Sequence, residues 1–309
     1  MSDSVVELVP TTVDAVVEFM PLLRNPIPRQ RLKALKSIVR HCPAGIECFE
    51  SLSRLIYDPD QNVRELAMQG IGTYGNFAFD VLLGCLHHHC KYVRRQAVWG
   101  LGKLQAFAHP AVRKLCDRLK DTDSRTAGGA AQALGAIGRD AGDAVPALAE
   151  AMRGTNVVLC RLASKALSQI GAPAIPTLIT HLGHHDPFVR GETAFALGWI
   201  GESARQAVPM LTATLLTWNR KNLTEQAADG NSGIHERITP VAQTKQSDST
   251  EEGSLILIVQ ALGRMGTVAK EAVPVLQTMI RNGRGRLTEV AIQSLDQIRF
   301  DQEPTGDSF

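Results

Sequence analysis

A chain of 309 residues, 44% hydrophobic and 21% charged, has the make-up of a folded globular protein, and few aromatics (5%) beside plentiful alanine, leucine and glycine favour close-packed helices over sheet. A formal net charge of +2 argues against a global field aimed at a polyanion, although residues 1–120 carry a surplus of five positive charges and the remainder a deficit of three. The six cysteines, Cys42, Cys48, Cys85, Cys90, Cys116 and Cys160, sit mostly within apolar helical patterns, and the opening MSDSVVELVP has neither a basic start nor a long apolar core; both features predict a cytoplasmic chain with buried, reduced thiols and no membrane span.

In chain order, residues 1–24 read as a capping segment whose TTVDAVVEFMPLLR forms an unpaired helix. From residue 25 the chain repeats itself. Val63-Arg64, Ala67, Gly70-Ile71-Gly72 returns as Val93-Arg94, Ala97, Gly100-Leu101-Gly102 and as Val189-Arg190, Ala194, Ala196-Leu197-Gly198. The central apolar markers Leu35, Ile71, Leu101, Leu134, Leu167, Leu197, Leu262 and Leu295 recur at steps of 30–36 residues, with one step of 65. Periods of that size mark stacked helical units. Within a unit the apolar positions follow one helical stripe, and the first helix ends on a glycine suited to a left-handed turn. A second phrase, Ala144-Val145-Pro146, Ala174-Ile175-Pro176, Ala207-Val208-Pro209 and Ala272-Val273-Pro274, starts the second helix, with proline in the first turn where its missing N–H is tolerated.

Residues 25–218 and 254–300 are thus expected to form about seven helix pairs, an all-α solenoid winding as a right-handed superhelix with second helices on its concave surface. Residues 219–253, polar and without apolar periodicity, are expected to be a flexible insertion, and residues 301–309 a polar tail.

Several side-chain groups invite a chemical reading. Cys85, His87, His88, His89 and Cys90 place five metal-binding residue types in six positions, and His181, His184 and His185 occupy an equivalent link three units later. Links of a stack lie far apart, so the two groups cannot share an ion; a polar link followed by a buried Cys90 is the favoured reading, with local zinc binding the alternative. Arg64, Arg94, Arg125 and Arg190 follow Asp60, Lys91, Asp123 and Asp186, which suggests an Asp–Arg ladder that ties links and caps helices, with the unit at Lys91 its doubtful rung. Arg24, Arg29, Arg31, Lys33, Lys36 and Arg40 read as a solvated basic face, and Trp99 and Trp199 as packing residues. No phosphate-binding Gly-Lys-Ser/Thr loop, Gly-x-Ser-x-Gly elbow or His-Glu-x-x-His is present, and the lone His235-Glu236 lies in the insertion.

The phrase Asp-Pro-x-Val-Arg, then Ala, Leu-Gly, Ile-Gly and Ala-Val-Pro-x-Leu, resembles the HEAT repeat family, in particular the short bacterial HEAT-like repeats found in phycobilisome lyases. That resemblance implies a non-catalytic scaffold or adaptor binding a protein partner on the concave face. It also leaves two alternatives: a bilin lyase or isomerase, and nucleic-acid binding along the same face. No catalytic residue, cofactor or metal ligand is assigned.

Overall fold

The computed structural model describes residues 18–41, 46–229, 244–282 and 285–300. Most of the amino-terminal cap, residues 230–243 with His235-Glu236, Cys42 and the tail 301–309 lie outside the described residues.

Among the described residues the helices form seven pairs and a last single helix. Repeat 1 comprises Pro28–His41 and Ile46–Leu55, repeat 2 Gln61–Ile71 and Phe79–Cys85, and repeat 3 Lys91–Lys103 and Val112–Arg118. Ser124–Ile137 and Val145–Met152 form repeat 4, Val157–Ile170 and Ile175–His181 repeat 5, Pro187–Ile200 and Val208–Asp229 repeat 6, Thr244–Arg264 and Val273–Asn282 repeat 7, and Arg286–Phe300 stands last. The architecture is an all-α solenoid. It divides into two compact units, Met1–Ile137 and Gly138–Phe309, at the end of the first helix of repeat 4.

Local chemistry explains the elements. Asp60 accepts the amides of Asn62 and Val63, Asn156 those of Val158 and Leu159, and Asp186 that of Phe188, so each of these first helices starts on a side-chain cap. The first helix of most repeats stops at a left-handed residue: Gly138, Gly171, Gly201 and Gly266 have φ of 73°, 78°, 71° and 62°. In repeat 2 this role falls to Gly75, with φ of 57°, and in repeat 3 to Gln105, with φ of 50°. A short 3-10 turn then leads to the second helix, with Pro146 and Pro176 in the first turns of theirs.

Within each unit, packing runs from first helix to first helix. The markers Leu35, Ile71, Leu101, Leu134, Leu167, Leu197 and Leu262 are completely buried, each contributing about 2 kcal/mol of apolar burial. The glycine of the Leu-Gly phrase lies inside the helix and has a packing role: a Cβ on Gly198 would stand 2.7 Å from the Ala261 Cα, and one on Gly102 would stand 3.2 Å from the Ala133 Cα. The helices approach too closely there for any side chain.

The expected structureless insertion contains helix. Helix runs on to Asp229 and resumes at Thr244, so both ends of 219–253 are helical. Lys, Leu, Glu, Gln and Ala in NRKNLTEQAAD are good helix formers, and loss of an apolar stripe removes the need for packing without removing the propensity. Glu251 inside this stretch even joins the packed structure through an ion pair with Arg190.

Candidate functional site

Among the described residues, the links between repeats carry a recurring set of arginine-centred hydrogen bonds. An arginine in the first turns of the first helix folds back so that its Nη1 donates to two carbonyls of its own link: Arg31 to Asn25 and Pro26, Arg64 to Asp58 and Pro59, Arg94 to His88 and His89, and Arg190 to His184 and His185. The guanidinium's other edge reaches the following repeat or the link before it. Arg31 grips Asp58 with two bonds of 2.7 Å, Arg94 grips Asp121 with two of 2.8 Å, and Arg190 grips Glu251 at 2.7 and 2.8 Å. Arg95 adds a parallel pair with Asp123.

An arginine ladder therefore exists, but its pairing differs from the expected one. Asp60 and Asp186 cap their own helices, while Arg31 and Arg94 bind carboxylates of the next link along and Arg190 binds Glu251 within the next first helix. Arg94, in the doubtful unit at Lys91, makes a full rung. Arg125 is exposed; the ladder position four residues after the link residue Asp123 is Ala127. In repeat 5 the same position is Cys160, whose Sγ donates to the carbonyl of Gly154 at 3.1 Å as an arginine would to its own link. Arg31, assigned to a solvated basic face, is instead 7% exposed and structural.

The rung that fails is Arg64's. Where Asp58 and Asp121 stand in their links, this link has His88. The Nδ1 of His88 accepts the Cys90 amide at 3.0 Å, just as Asp58 accepts that of Asp60 and Asp121 that of Asp123. His184 does the same for Asp186 at 3.1 Å, and in both links the paired histidine rings stack, with centroids 4.2 and 4.3 Å apart. An imidazole that accepts at Nδ1 carries its proton at Nε2 and has no acceptor to offer Arg64. Arg64 has a 3.6 Å contact from Nη2 to the Cys90 Sγ, and both its Nε and the His88 Nε2 are buried without a partner. Burial, with His89 and Arg64 adding to it, pushes the His88 pKa down, and burial with His185 does so for His184. Burial opposes ionisation of the Cys90 thiol, but the amides of Val93 and Tyr92 and the Arg64 guanidinium outweigh it and bring its pKa below the ordinary value.

Beside His88 opens a cavity of about 370 Å³, walled by His87, His88, Arg94, Arg118, Lys120 and Asp121 among others. Asp121 is pulled two ways: burial disfavours its charge, yet Arg94, the Asp123 amide and Arg118 hold its pKa below the usual aspartate value. Cys85 belongs to the core, its thiol pushed up to about 11 by burial. Among the described residues no group of three or more His, Cys, Asp or Glu is gathered to hold a metal ion, so the five-residue Cys/His run does not converge. Glu192, 7% exposed, has its pKa raised by burial despite Arg161 at 3.6 Å. The Ser164 hydroxyl donates to the Glu192 carbonyl at 2.7 Å.

A second feature lies at the opposite end of the first helices, where they turn. Phe77, Trp99 and Phe107 are 86%, 51% and 50% exposed. Phe107 meets Phe79 edge to face at 5.7 Å, and Lys103 Nζ sits 3.7 Å over the Trp99 ring. Trp199 is likewise 59% exposed, with the Arg264 guanidinium 4.5 Å above it. The assignment of Trp99 and Trp199 to packing is thereby corrected. Trp99 follows buried Val98 and precedes buried Gly100, and the inward stripe passes it by.

No curated protein sequence matches the chain. Among solved structures, YibA of Escherichia coli is 15% identical over 92% of each chain with a TM-score of 0.50. An engineered protein is 18% identical over 92% of this chain and 78% of its own, with a TM-score of 0.48. The complex of CpcE and CpcF of phycocyanin lyase from Nostoc sp. PCC7120 is 17% identical over 96% of this chain and 99% of that one, with a TM-score of 0.41. The family description "HEAT repeats" matches residues 50–134, 80–164 and 145–230, more than half of the sequence, and on that ground the chain belongs to the HEAT repeat family.

Proposed function

We propose that this protein is a non-catalytic scaffold or adaptor that binds a protein partner. The observation that carries the reading is the aromatic edge of the first unit, where Trp99, on a first helix, and Phe77 and Phe107, in the short turns that follow first helices, face solvent. Exposed Trp and Phe side chains on a rigid support are what interface hot spots are made of, and a support already ordered loses little conformational entropy on association. The sequence alone favoured the concave flank of the second helices; the exposed aromatics favour the edge at which the first helices turn. A cytoplasmic setting goes with this proposal, since Cys48, Cys85, Cys90, Cys116 and Cys160 carry no disulfide and no described helix is long and apolar enough to cross a membrane. We keep the domain reading of repeats over 25–218 and 254–300, joined through 219–253, as part of the same proposal.

The test is affinity capture with wild type and with a Trp99→Ser/Phe107→Ser double variant, followed by direct titration of purified components. A partner bound by wild type and weakened by about 2 kcal/mol or more in the double variant supports the reading. Partners indifferent to both substitutions would overturn it.

A further inference from the structure

The first helix of repeat 1, Pro28–His41, carries Arg and Lys at five positions and no Asp or Glu. Those five divide between two faces. At about 100° per residue, Arg29, Lys33, Lys36 and Arg40 fall within one stripe about 60° wide, and Arg31 lies on the opposite side. Burial follows the same division: the four are exposed, while Arg31 is buried in its rung with Asp58. None of the ion pairs among the described residues includes any of the four. Like charges three and four residues apart on a helix repel one another, so the row weakens the free protein and is relieved by a matching row of carboxylates. The neighbouring helices offer no such row. The first helices of repeats 1 to 4 adjoin in order, and their single acid is Glu65, which already accepts from Gln61.

The layout selects the class of partner. Counted from the ladder arginine, Lys36 and Arg40 of repeat 1 correspond to Gln69 and Thr73 of repeat 2 and to Trp99 and Lys103 of repeat 3. The charge is therefore one row on one helix, beside an uncharged strip. A nucleic-acid duplex presents phosphates on two strands, which a single row does not match. A single strand is held by aromatic stacking next to its phosphates, yet Trp99 stands two helices away, about 16–20 Å. A protein helix matches the row, because carboxylates at i, i+4, i+7 and i+11 reproduce its spacing and the uncharged side can rest on Gln69 and Thr73.

We propose that the exposed face of this helix docks an acidic helix of a protein partner, whose carboxylates pair with Arg29, Lys33, Lys36 and Arg40. The inference rests on the scaffold reading, and names the chemistry of the partner, but involves neither Trp99 nor Phe107.

Fluorescence anisotropy at low salt tests it with a labelled helical peptide carrying four glutamates at that spacing and a peptide of the same composition with the glutamates spread around the helix. A single-stranded oligonucleotide and vesicles of phosphatidylglycerol and phosphatidylcholine are titrated in parallel. Wild type is compared with Lys33→Glu/Lys36→Glu and with Lys33→Ala/Lys36→Ala; both positions are exposed, so the variants are expected to fold, and a thermal melt checks that they do. Wild type is expected to bind the spaced peptide with Kd of about 100 µM or tighter and the spread peptide at least about fivefold more weakly. The glutamate variant is expected to lose at least about tenfold in affinity for the spaced peptide, and the alanine variant less. No binding of that peptide by wild type, no preference over the spread one, affinity unchanged in the folded variants, or tighter binding of the oligonucleotide or the vesicles would each overturn the proposal. Failure here leaves the aromatic edge to be judged by its own capture experiment, and failure there leaves the peptide result standing.

Discussion

Two neighbouring junctions of the first unit are built on one plan and end differently. Between repeats 1 and 2 the Arg31 guanidinium spans two backbone carbonyls and the Asp58 carboxylate, with side chains 9% and 4% exposed. Between repeats 2 and 3 Arg64 makes the same two carbonyl bonds and then meets His88 and Cys90 instead of a carboxylate. Replacing one acceptor by an imidazole turns a closed junction into one with unpaired donors. A single link position thus decides whether a junction closes on a carboxylate or leaves donors unpaired.

The contrast can be broken most forcefully at the arginines. Arg31→Ala strands the Asp58 carboxylate in a buried site and is expected to cost about 3–4 kcal/mol in denaturant unfolding, whereas Arg64→Ala, which strands no carboxylate, is expected to cost about 1 kcal/mol. Equal losses would mean that the two junctions do not differ in kind. Next in size, His88→Asp gives Arg64 its missing acceptor and is expected to raise stability by about 1–2 kcal/mol; a loss would show that the imidazole is worth more than the ion pair.

Acid titration sharpens the same point. The folded-state pKa of His88 lies below the 6.5 of an ordinary histidine, so the unfolded chain binds the extra proton first and stability is expected to fall as pH drops from about 7 to 5. In His88→Asp this part of the loss should disappear, because a paired aspartate has a depressed pKa and gives way only below about pH 4. His184 contributes the same slope to both proteins, so the readout is their difference in melting temperature across that range. The smallest effect is expected at the turn of repeat 3. Gln105 holds a φ of 50° where the repeats beyond use glycine, and Gln105→Gly should stabilise by about 0.5–1 kcal/mol.

The helices, their period, their caps and their proline starts were legible because each is set within a few residues: Asp60 and Asp186 cap helices that begin right after them. Rung partners were not, since Arg31 and Asp58 are 27 residues apart and meet only when one repeat lies on the next. Arg125 was assigned by its nearness to an aspartate; counting four residues from each link residue, as Asp60 to Arg64, would have pointed to Ala127. The helical wheel around Trp99 held enough information to turn it outward, but its place within the repeat phrase drew it into the core. The reason for glycine at position 198 depends on the backbone of Ala261, which no local pattern reveals. The cavity joins Arg118 and Lys120 at the end of one repeat to His88 at the start of the same one, a closure only the fold supplies.

A double-mutant cycle measures the difference between the junctions most directly. Arg64→Met is made in wild type and in His88→Asp, and unfolding free energies are compared. The coupling between the two substitutions is expected to be about 1.5–3 kcal/mol, reporting an ion pair formed only when position 88 carries a carboxylate. Coupling within about 0.3 kcal/mol of zero would mean that Arg64 does not look toward position 88, and the reading of this junction as an open rung would be wrong.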